Sequence, residues 1–340
     1  MSRIYGHIFT IPLPATLIAL ALWAGAPLSG HAEAPRQIVF VAGTASHGYG
    51  LHEHRAGCLL LARLIEENTD HVTRVHTGGW PADSEAFDGA DAIILFSDGG
   101  GGHMVLPHLA ALDRQVQRGA GLGVLHYAVE VPPGEPGTYF QRWIGGHYET
   151  HFSANPIWEP EFASLPDHPV LRGVQPFSVR DEWYFNMRFR EDRAGIIPLL
   201  AAPPSDATRD GPYVHPQGPY EHIVADKGRI ETLLWAVERE DGGRGFGFTG
   251  GHFHWNWGHP DFRTAVLNAI LWVAGAEVPD GGVPTPVLTL EELEAHQDYD
   301  QPPDFDRHDL RRQLEAWQTG RDAGAAAPWA EPGCATCSAM

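Results

Sequence analysis

The chain has little positive charge for its length. Its 340 residues include 23 lysine and arginine residues against 43 aspartate and glutamate residues, which gives a net charge of −20 at pH 7. A nucleic-acid-binding protein needs a basic face that neutralises phosphates, and anionic membranes attract basic surfaces in the same way. The composition therefore argues against nucleic acids and anionic membranes as partners.

Cysteine is also scarce, with three residues in the whole chain. Cys58 falls inside an apolar helical run, where a buried and unreactive thiol is expected. Cys334 and Cys337 form a CxxC pair in a tail rich in alanine, glycine and proline. A redox CxxC is expected beside a βαβ unit, so we expect at most a small disulfide here and no catalytic thiol.

One uncharged apolar stretch, at about residues 8–28, precedes the sequence Ala32-Glu33-Ala34. This combination is typical of a secretory signal with a small-x-small cleavage site, and it predicts a signal peptide over residues 1–34. A membrane anchor is the alternative, but three prolines interrupt the stretch, which favours cleavage. We therefore expect a periplasmic or secreted protein that has no membrane attachment after cleavage.

Buried strands and amphipathic helices alternate in the first part of the remaining chain. The runs 38–42, 91–97 and 121–125 are almost wholly apolar, as expected of strands in a parallel sheet. Apolar residues at helical spacing predict helices at about 53–68 and 105–116. This order predicts an α/β fold with a doubly wound parallel sheet in three layers, of the flavodoxin-like type. In such folds the ligand binds beyond the carboxyl ends of the strands.

The predicted α/β domain covers residues 35–279. Residues 130–225 within it are rich in proline, tryptophan and tyrosine, which indicates an insertion that decorates the site. Residues 280–340 form a proline- and glycine-rich linker and a C-terminal extension, for which we expect a short helix and otherwise loose order. Further strand-like stretches are 170–179, 196–201, 231–237 and 245–249, and a last helix is predicted at about 261–274.

Histidine is abundant, with 20 residues, and several histidines follow predicted strand ends. The first group lies in residues 46–55, between a strand and a helix, and contains His47, His52 and His54. We predict that His47 and His54 bind the substrate, because ligands of such sheets bind at the strand ends. Solvated histidines of a capping loop are the alternative, which applies most to His52.

A glycine-rich loop follows the strand at 91–97, with Asp98, four consecutive glycines and His103. Glycine lets backbone N–H groups come close to a ligand, and a helix N-terminus favours anionic oxygen. A phosphate cradle is one interpretation, although no Walker pattern is present. We favour binding of an enolate or of sugar hydroxyls by Asp98, Gly100 and Gly101, with a flexible turn as the alternative.

The strand at 121–125 runs directly into His126 and Tyr127, which are followed by a small residue. A polar residue in this position has the form of a nucleophile elbow. Histidine is not an ordinary acyl-transfer nucleophile, but it serves as a general base or a metal ligand. We predict that His126 is catalytic and that Tyr127 contacts the substrate.

The segment Asp181-Glu182-Trp183-Tyr184 places paired carboxylates beside aromatic rings. Such a set suits acid–base catalysis and stacking against a sugar ring. We predict that Glu182 is catalytic and that Asp181 and Trp183 contact the substrate, with a polar pair on an edge strand as the alternative. Adjacent residues of a strand face opposite sides, which argues against an ordinary glycosidase that uses both carboxylates.

His252 and His254 alternate with aromatic residues after the strand at 245–249. Residues two apart in a strand point to the same side, so the two histidines could share a metal ion. We predict that His252 is catalytic and that His254 contacts the substrate. The alternative is one core histidine and one exposed histidine.

Three of these segments together resemble the ThuA-like (trehalose utilisation) family. They are the strand tip at residues 123–128, the segment at 181–184 and the late run at 250–257 with its following helix. The resemblance covers about residues 36–279 and implies a fold similar to that of class I glutamine amidotransferases. In those relatives the elbow carries cysteine and a later strand end carries the catalytic histidine. This chain has His126 at the elbow and His252 near the later position, so amidotransferase or peptidase activity is not expected.

The resemblance also implies a substrate, because the family is linked to disaccharide use alongside dehydrogenases that make 3-keto sugars. A ketone at C3 acidifies the C2 proton, which a base such as His126 or Glu182 would remove. The enolate would be stabilised by a metal ion or by donors from the glycine loop before the C1–O bond breaks. We therefore expect a lyase or hydrolase of 3-keto-glycosides with a sugar as its small-molecule partner. A sugar-binding or accessory protein without catalytic activity is the alternative.

The clustering of histidines at strand ends suggests a divalent metal ion, zinc or similar, as cofactor. The predicted ligands are His103, His126 and His252. A metal-free acid–base cluster of the same residues is the alternative.

Overall fold

The structure is a computed structural model that describes residues 1–3, 6, 34–83 and 85–319. The apolar stretch of the predicted signal peptide lies outside the described residues, as do Cys334 and Cys337. Within the described residues, no helix is both long enough and apolar enough to cross a membrane. Cys58 is a buried free thiol, as predicted.

In the described part of the chain, seven strands form one sheet, and six strands of two residues each pair outside it. The strands are β1 (Gln37–Ala42), β2 (Val72–His76), β3 (Ala92–Phe96), β4 (Gly121–Leu125), β5 (Gly146–His147), β6 (Ile157–Trp158), β7 (Glu161–Phe162), β8 (Phe177–Ser178), β9 (Asp181–Glu182), β10 (Arg188–Phe189), β11 (Ile196–Ala202), β12 (Glu231–Glu238) and β13 (Arg244–Phe248). The α-helices are α1 (His54–Asn68), α2 (Leu109–Gln117), α3 (Glu135–Ile144), α4 (Asp206–Asp210), α5 (Glu221–Ala225), α6 (Pro260–Val273), α7 (Leu290–Glu294) and α8 (Arg307–Thr319).

The central sheet has the strand order β11-β12-β13-β4-β3-β1-β2. Strands β2, β1, β3, β4 and β13 are parallel to one another, whereas β12 is antiparallel to its neighbours β13 and β11. Antiparallel strands at the edge of an otherwise parallel sheet are common in large α/β folds. The predicted α/β class and parallel sheet are therefore confirmed.

Alternate residues of the parallel strands face two separate hydrophobic cores. Phe40 of β1 shares one core with Leu61 of α1 and Val266 of α6, which we call the first core. Val41, the next residue, shares the second core with Leu112 of α2 and with buried side chains of α3. Because neighbouring residues of a strand point to opposite faces, these contacts show the predicted three layers of helix, sheet and helix.

Four parallel strands end at the same level. Ala42 of β1 lies beside Phe96 of β3, Phe96 lies beside Leu125 of β4, and Leu125 lies beside Phe248 of β13. The loops that follow these four residues therefore leave the sheet along one edge. This edge carries the candidate site, where ligands of doubly wound sheets bind.

The region predicted as a decorating insertion, residues 130–225, contributes partly to the main body. Helix α3 covers the second core, and β11 forms an edge of the central sheet. The predicted strand at 170–179 is wrong, since only Phe177–Ser178 pairs as a strand. Gly173 turns the chain with a φ angle of 75°, and Pro176 has no N–H to donate to a strand ladder.

The described part of the C-terminal extension, residues 280–319, contains two helices, which corrects the prediction of loose order there. Helix α7 begins at a capping box formed by Thr289 and Glu292. Helix α8 buries Leu310 and Leu314 in the first core. The sequence did not predict α8, because its few apolar residues lie among many charged ones and give only a weak helical periodicity.

Candidate active site

Two loops bring His52 and His252 together. The backbone N–H of His52 donates to the carbonyl of His252 at 3.0 Å, and the N–H of His254 donates to the carbonyl of Gly50 at 2.9 Å. The loop after β1 is therefore paired with the loop after β13. This pairing places His52 Nε2 2.8 Å from His252 Nδ1.

His126 occupies the tip of β4 and starts a short 3-10 helix directly after the strand. Its φ angle is 51°, in the left-handed region that residues with side chains rarely adopt. His47 and His52 also have positive φ angles, of 63° and 47°. Strain of this kind costs about 1–3 kcal/mol per residue and clusters at functional sites. Three strained histidines at one sheet edge therefore point to a site with a chemical role.

Glu182 reaches the same point from β9. Its Oε2 lies 2.8 Å from His252 Nδ1 and 3.6 Å from His126 Nε2, and its Oε1 accepts a hydrogen bond from Asn155 Nδ2 at 2.9 Å. Burial alone would raise the pKa of Glu182, but the imidazoles of His252 and His126 outweigh burial and lower it. The carboxyl group is therefore ionised at neutral pH.

These four side chains form what we call the histidine–glutamate cluster: His52, His126, Glu182 and His252. None of them is more than 3% exposed. One side-chain nitrogen or oxygen atom from each lies within 4.8 Å of those of the others. The Nε2 atoms of His52 and His126 are 3.1 Å apart. Such a cluster can polarise a substrate oxygen or hold a metal ion.

Asp98 orients the histidines from the loop after β3. Its Oδ1 accepts a hydrogen bond from His52 Nδ1 at 3.0 Å. The same oxygen lies 3.6 Å from His47 Nδ1 and 3.6 Å from His54 Nε2. The His54 ring is fully buried, and burial lowers its pKa to about 4, although Asp98 opposes the shift. Asp98 and His54 therefore lie on the side of His52 that faces away from the cavity, whereas His47 lines the cavity together with His52.

A small cavity opens onto the cluster. Its volume is about 50 Å³, which is room for a few water molecules. Two larger surface cavities, of about 310 and 690 Å³, are not lined by any residue of the cluster. The small cavity is therefore the candidate active site, because it is the one that the titratable side chains of the cluster line. The small cavity is lined by His47, His52, Tyr127, Glu130, Thr150, Asn155, Glu182, Tyr184, Val214, His215, Pro216 and His252.

Glu130 is the second carboxyl group of this cavity. It is 8% exposed, and its Oε1 accepts a hydrogen bond from Thr150 Oγ1 at 2.6 Å. Burial raises its pKa to about 7, Thr150 opposes the shift and Glu182 adds to it. Burial also raises the pKa of Tyr127, so this residue remains a neutral phenol. One cavity therefore contains an ionised and a protonatable carboxyl group, the arrangement of an acid–base pair.

The glycine loop supports Tyr127 and Glu130 from behind. The N–H of Gly100 donates to the Glu130 carbonyl at 3.0 Å, and a side chain at Gly99 would lie 2.1 Å from the Tyr127 carbonyl oxygen. Gly101 has open space around it. Neither Gly100 nor Gly101 is among the described residues that line the cavity. Their predicted contacts with the substrate therefore stay a prediction.

Asp181 holds the loop after β13 and does not face the cavity. It accepts hydrogen bonds from the backbone N–H groups of Gly251 at 2.7 Å, His252 at 3.1 Å and Phe253 at 3.3 Å. Trp183 is fully buried in the first core, where its indole N–H donates to a backbone carbonyl. The predicted substrate contacts of Asp181 and Trp183 are therefore corrected to structural roles.

Two predicted histidines lie outside the cluster. His103 Nε2 donates to the Ala128 carbonyl at 2.9 Å, and its Nδ1 accepts a backbone N–H at 3.1 Å. His254 Nε2 donates to the Leu293 carbonyl at 2.8 Å and so anchors the C-terminal extension. His103 therefore lies outside the group of side chains that could hold a metal ion, in which His52 stands with the predicted His126 and His252.

Sequence reasoning missed four residues of the site: His52, Glu130, Asn155 and Tyr184. The Tyr184 hydroxyl lies 3.2 Å from His126 Nε2. A signal for Tyr184 was available, since it stands two residues after Glu182 and so faces the same side of an extended segment. Asn155 and Glu130 belong to no pattern, because folding alone brings them to the cavity.

The mostly parallel sheet, the flanking helices and the strained residue at the tip of β4 define an α/β protein with a glutamine amidotransferase-like fold. The family model described as "ThuA: Trehalose utilisation" matches residues 37–273. The chain therefore belongs to the ThuA family.

Two solved structures are similar to this chain. A putative ThuA-like protein from Bacteroides uniformis ATCC 8492 matches with a TM-score of 0.51 and 14% identity, over 73% of this chain and 95% of that chain. A putative ThuA-like protein from Parabacteroides merdae ATCC 43184 matches with a TM-score of 0.50 and 15% identity, over 76% and 99%. At these identities the likeness supports the fold. No curated protein matches the sequence.

Proposed function

We propose that the protein cleaves the glycosidic bond of 3-keto-glycosides by elimination. The family description supports a role in sugar utilisation. The observation that carries the proposal is the content of one cavity. There a cluster of buried imidazoles lies beside an ionised carboxylate, Glu182, and a protonatable carboxyl group, Glu130.

The proposed reaction needs a base, a group that stabilises an enolate and an acid from the protein. A base removes the proton on C2, which the neighbouring ketone acidifies, and the electron pair forms an enolate on the C3 oxygen. The enolate then returns its electrons, the C1–O bond breaks, and a C1–C2 double bond forms. An acid protonates the departing oxygen, and water adds to the double bond afterwards if the product is a hydrolysed sugar.

We assign the base to His47. This ring lines the cavity and stacks on His52 with a centroid separation of 3.7 Å. Burial lowers its pKa, against the opposing effect of Asp98, so the ring is neutral and able to accept a proton. His126 and Glu182, the bases expected from the sequence, instead direct their Nε2 and Oε2 atoms into the cluster.

We assign the acid to Glu130. Its carboxyl group lies in the same cavity, and with a pKa of about 7 it holds a proton in a substantial fraction of molecules at neutral pH. A catalytic acid works best when its pKa lies near the operating pH. Glu182 is unsuitable for this role because the imidazoles around it keep it ionised.

The histidine–glutamate cluster is the site that would receive the C3 oxygen. The Tyr184 hydroxyl and the ring proton shared by His52 Nε2 and His252 Nδ1 are donors at this point that can stabilise negative charge as it develops on the oxygen. The present cavity holds only a few water molecules, so we expect the wall formed by residues 214–216 to move outward when a sugar ring binds.

The test is the release of the leaving group from 3-keto-trehalose beside trehalose itself, followed by chromatography. We expect cleavage of the keto sugar only, because the unoxidised sugar has no acidic C2 proton. Binding of the keto sugar without cleavage would replace this proposal with a sugar-binding role. Equal cleavage of both sugars would contradict it, since an ordinary glycosidase needs no ketone.

A further inference from the structure

We propose that the histidine–glutamate cluster binds one divalent transition-metal ion through His52, His126, His252 and Glu182. The inference goes beyond the proposed reaction, because it needs no substrate. It is carried by the positions of protons within the cluster, by the separations of the donor atoms and by the residues that hold the rings in place.

The protons of two rings are located by their outer partners. His52 Nδ1 lies 3.0 Å from the Asp98 carboxylate, and His126 Nδ1 lies 2.9 Å from the Thr249 carbonyl. Both partners can only accept, so each ring donates from Nδ1, and in the neutral ring Nε2 carries a lone pair. These two Nε2 atoms nevertheless lie 3.1 Å apart.

The cluster has more acceptors than protons. The Glu182 side chain adds a third acceptor, with its Oε2 2.8 Å from His252 Nδ1 and 3.6 Å from His126 Nε2. A proton on His252 Nδ1 and the hydroxyl proton of Tyr184 are the donors that point into this group. Buried acceptors that face one another cost free energy, and a cation among them removes that cost.

The separations of the donor atoms fit a metal ion. Four contacts between donor atoms of the cluster span 2.8 to 3.6 Å. Donors at about 2.0–2.1 Å from a tetrahedral zinc ion lie about 3.4 Å from one another. Three imidazoles with one carboxylate suit zinc, cobalt, nickel or iron better than magnesium or calcium, which prefer oxygen ligands.

The surroundings also match a metal site. A ligating histidine usually donates its other ring proton to a carboxylate or a backbone carbonyl, as His52 does to Asp98 and His126 does to Thr249. Glu182 and Asp98 together contribute two negative charges next to buried rings. A divalent ion balances both charges.

The experiment measures metal content of the full chain. The purified protein is stripped with a chelator, exposed to Zn²⁺ or Co²⁺ at micromolar concentration, desalted and analysed by mass spectrometry of the elements. We expect about one ion per chain, and the visible absorption of a low-symmetry four-coordinate Co²⁺ site. His52→Gln and His126→Gln should each lose the ion, since each removes one of four ligands.

Two control variants separate the ligands from their neighbours. His103→Gln changes a buried histidine whose ring nitrogens are both bonded to backbone, and His215→Gln changes a cavity residue outside the cluster. Both should keep about one ion per chain. Asp98→Asn leaves the four ligands in place and should weaken Zn²⁺ affinity about 10- to 100-fold. Circular dichroism of every variant shows that a lost ion does not reflect a lost fold.

A wild-type protein that binds neither ion would overturn the proposal. In that case a proton shared between the acceptor atoms, and not a metal ion, would hold the cluster together. Retention of the ion by His52→Gln and His126→Gln, or its loss from His103→Gln, would overturn the ligand set. The outcome is independent of the proposed reaction, because an ion bound without cleavage of 3-keto-trehalose contradicts only the reaction. A protein that cleaves 3-keto-trehalose but binds neither ion contradicts only the metal site.

Discussion

Two loops that leave neighbouring strands differ in what they deliver to the site. The loop after β1 contains His47 and His52 and leads into His54 at the start of α1, and the loop after β3 contains Asp98 and His103. Both follow apolar parallel strands, and both contain histidine and glycine. Only the first loop contributes a histidine to the cluster, whereas His103 turns back to bond the Ala128 carbonyl.

The difference lies in the backbone contacts of the two loops. The first loop pairs with the loop after β13 through the hydrogen bond from His52 N–H to the His252 carbonyl. The second loop forms a short 3-10 helix at Gly100–Gly102 and bonds to the Glu130 carbonyl through Gly100 N–H. A histidine next to a strand end therefore reaches the site only if the following loop is held toward it.

The sharpest test of this difference compares His52→Gln with His103→Gln. We expect His52→Gln to lower kcat/KM for 3-keto-trehalose on the order of 10³-fold, because it removes a group that stabilises the enolate. His103→Gln should leave kcat/KM within about threefold and lower the free energy of unfolding by about 1–3 kcal/mol, because it disturbs buried hydrogen bonds. Steady-state kinetics and urea unfolding measure the two effects. Equal loss of activity in both variants would remove the distinction between the loops.

Glu130→Gln tests the acid that contacts the second loop through its backbone. We expect kcat to fall about 10²- to 10³-fold for a sugar leaving group. An aryl leaving group, which departs without protonation, should reduce this loss. Glu149→Gln is the matched control, since Glu149 pairs with Arg188 and does not line the cavity.

The pH profile gives a second test of Glu130. An acid must be protonated to act, and the pKa of Glu130 is raised to about 7 by burial. Wild-type kcat/KM should therefore decrease as the pH rises through about 7, and Glu130→Gln should lack this decrease. A decrease that persists in the variant would assign the acid to another group.

Asp98→Asn should have a smaller effect, since Asp98 orients His52 from the second loop and does not itself line the cavity. We expect kcat/KM to fall about 10- to 100-fold. Asp88→Asn, at an exposed aspartate, is the control and should change little. An unchanged rate in Asp98→Asn would mean that the second loop contributes nothing to the site.

Glu53→Gln should have the smallest effect on catalysis and a measurable effect on stability. The buried carboxylate of Glu53 accepts hydrogen bonds from the N–H groups of Gly50 at 3.0 Å and Asp298 at 2.9 Å, which ties the first loop to the C-terminal extension. Loss of one acceptor should lower the free energy of unfolding at pH 8 by about 1–3 kcal/mol. Glu240→Gln, at an exposed carboxylate, should change it by less than about 0.5 kcal/mol.

The sequence predicts the sheet better than the parts around it. Apolar runs such as 38–42 and 121–125 leave few alternatives to buried strands, and the elbow position of His126 follows from the strand that precedes it. Helix α8 was not predicted because its stability comes from packing of Leu310 and Leu314 on the first core. Packing between distant segments leaves no periodic pattern in the sequence.

The same limit applies to the site. His126, Glu182 and His252 lie in local motifs, and the structure places all three in the cluster. The sequence does not show which of His52 and His103 belongs to the site, because both lie in a glycine-containing loop after a strand. Only the tertiary pairing of the first loop separates them, and that pairing depends on residues about 200 positions away, as the contact of His52 with His252 illustrates.

The most direct test of the account is exchange of the C2 proton of 3-keto-trehalose with solvent deuterium, followed by nuclear magnetic resonance. We expect Glu130→Gln to incorporate deuterium at C2 while it releases little glucose, because the base and the cluster remain intact and only the acid is lost. His52→Gln should neither exchange the proton nor release glucose. Release of glucose by the wild-type protein from a substrate whose C2 proton is never removed would contradict elimination through an enolate.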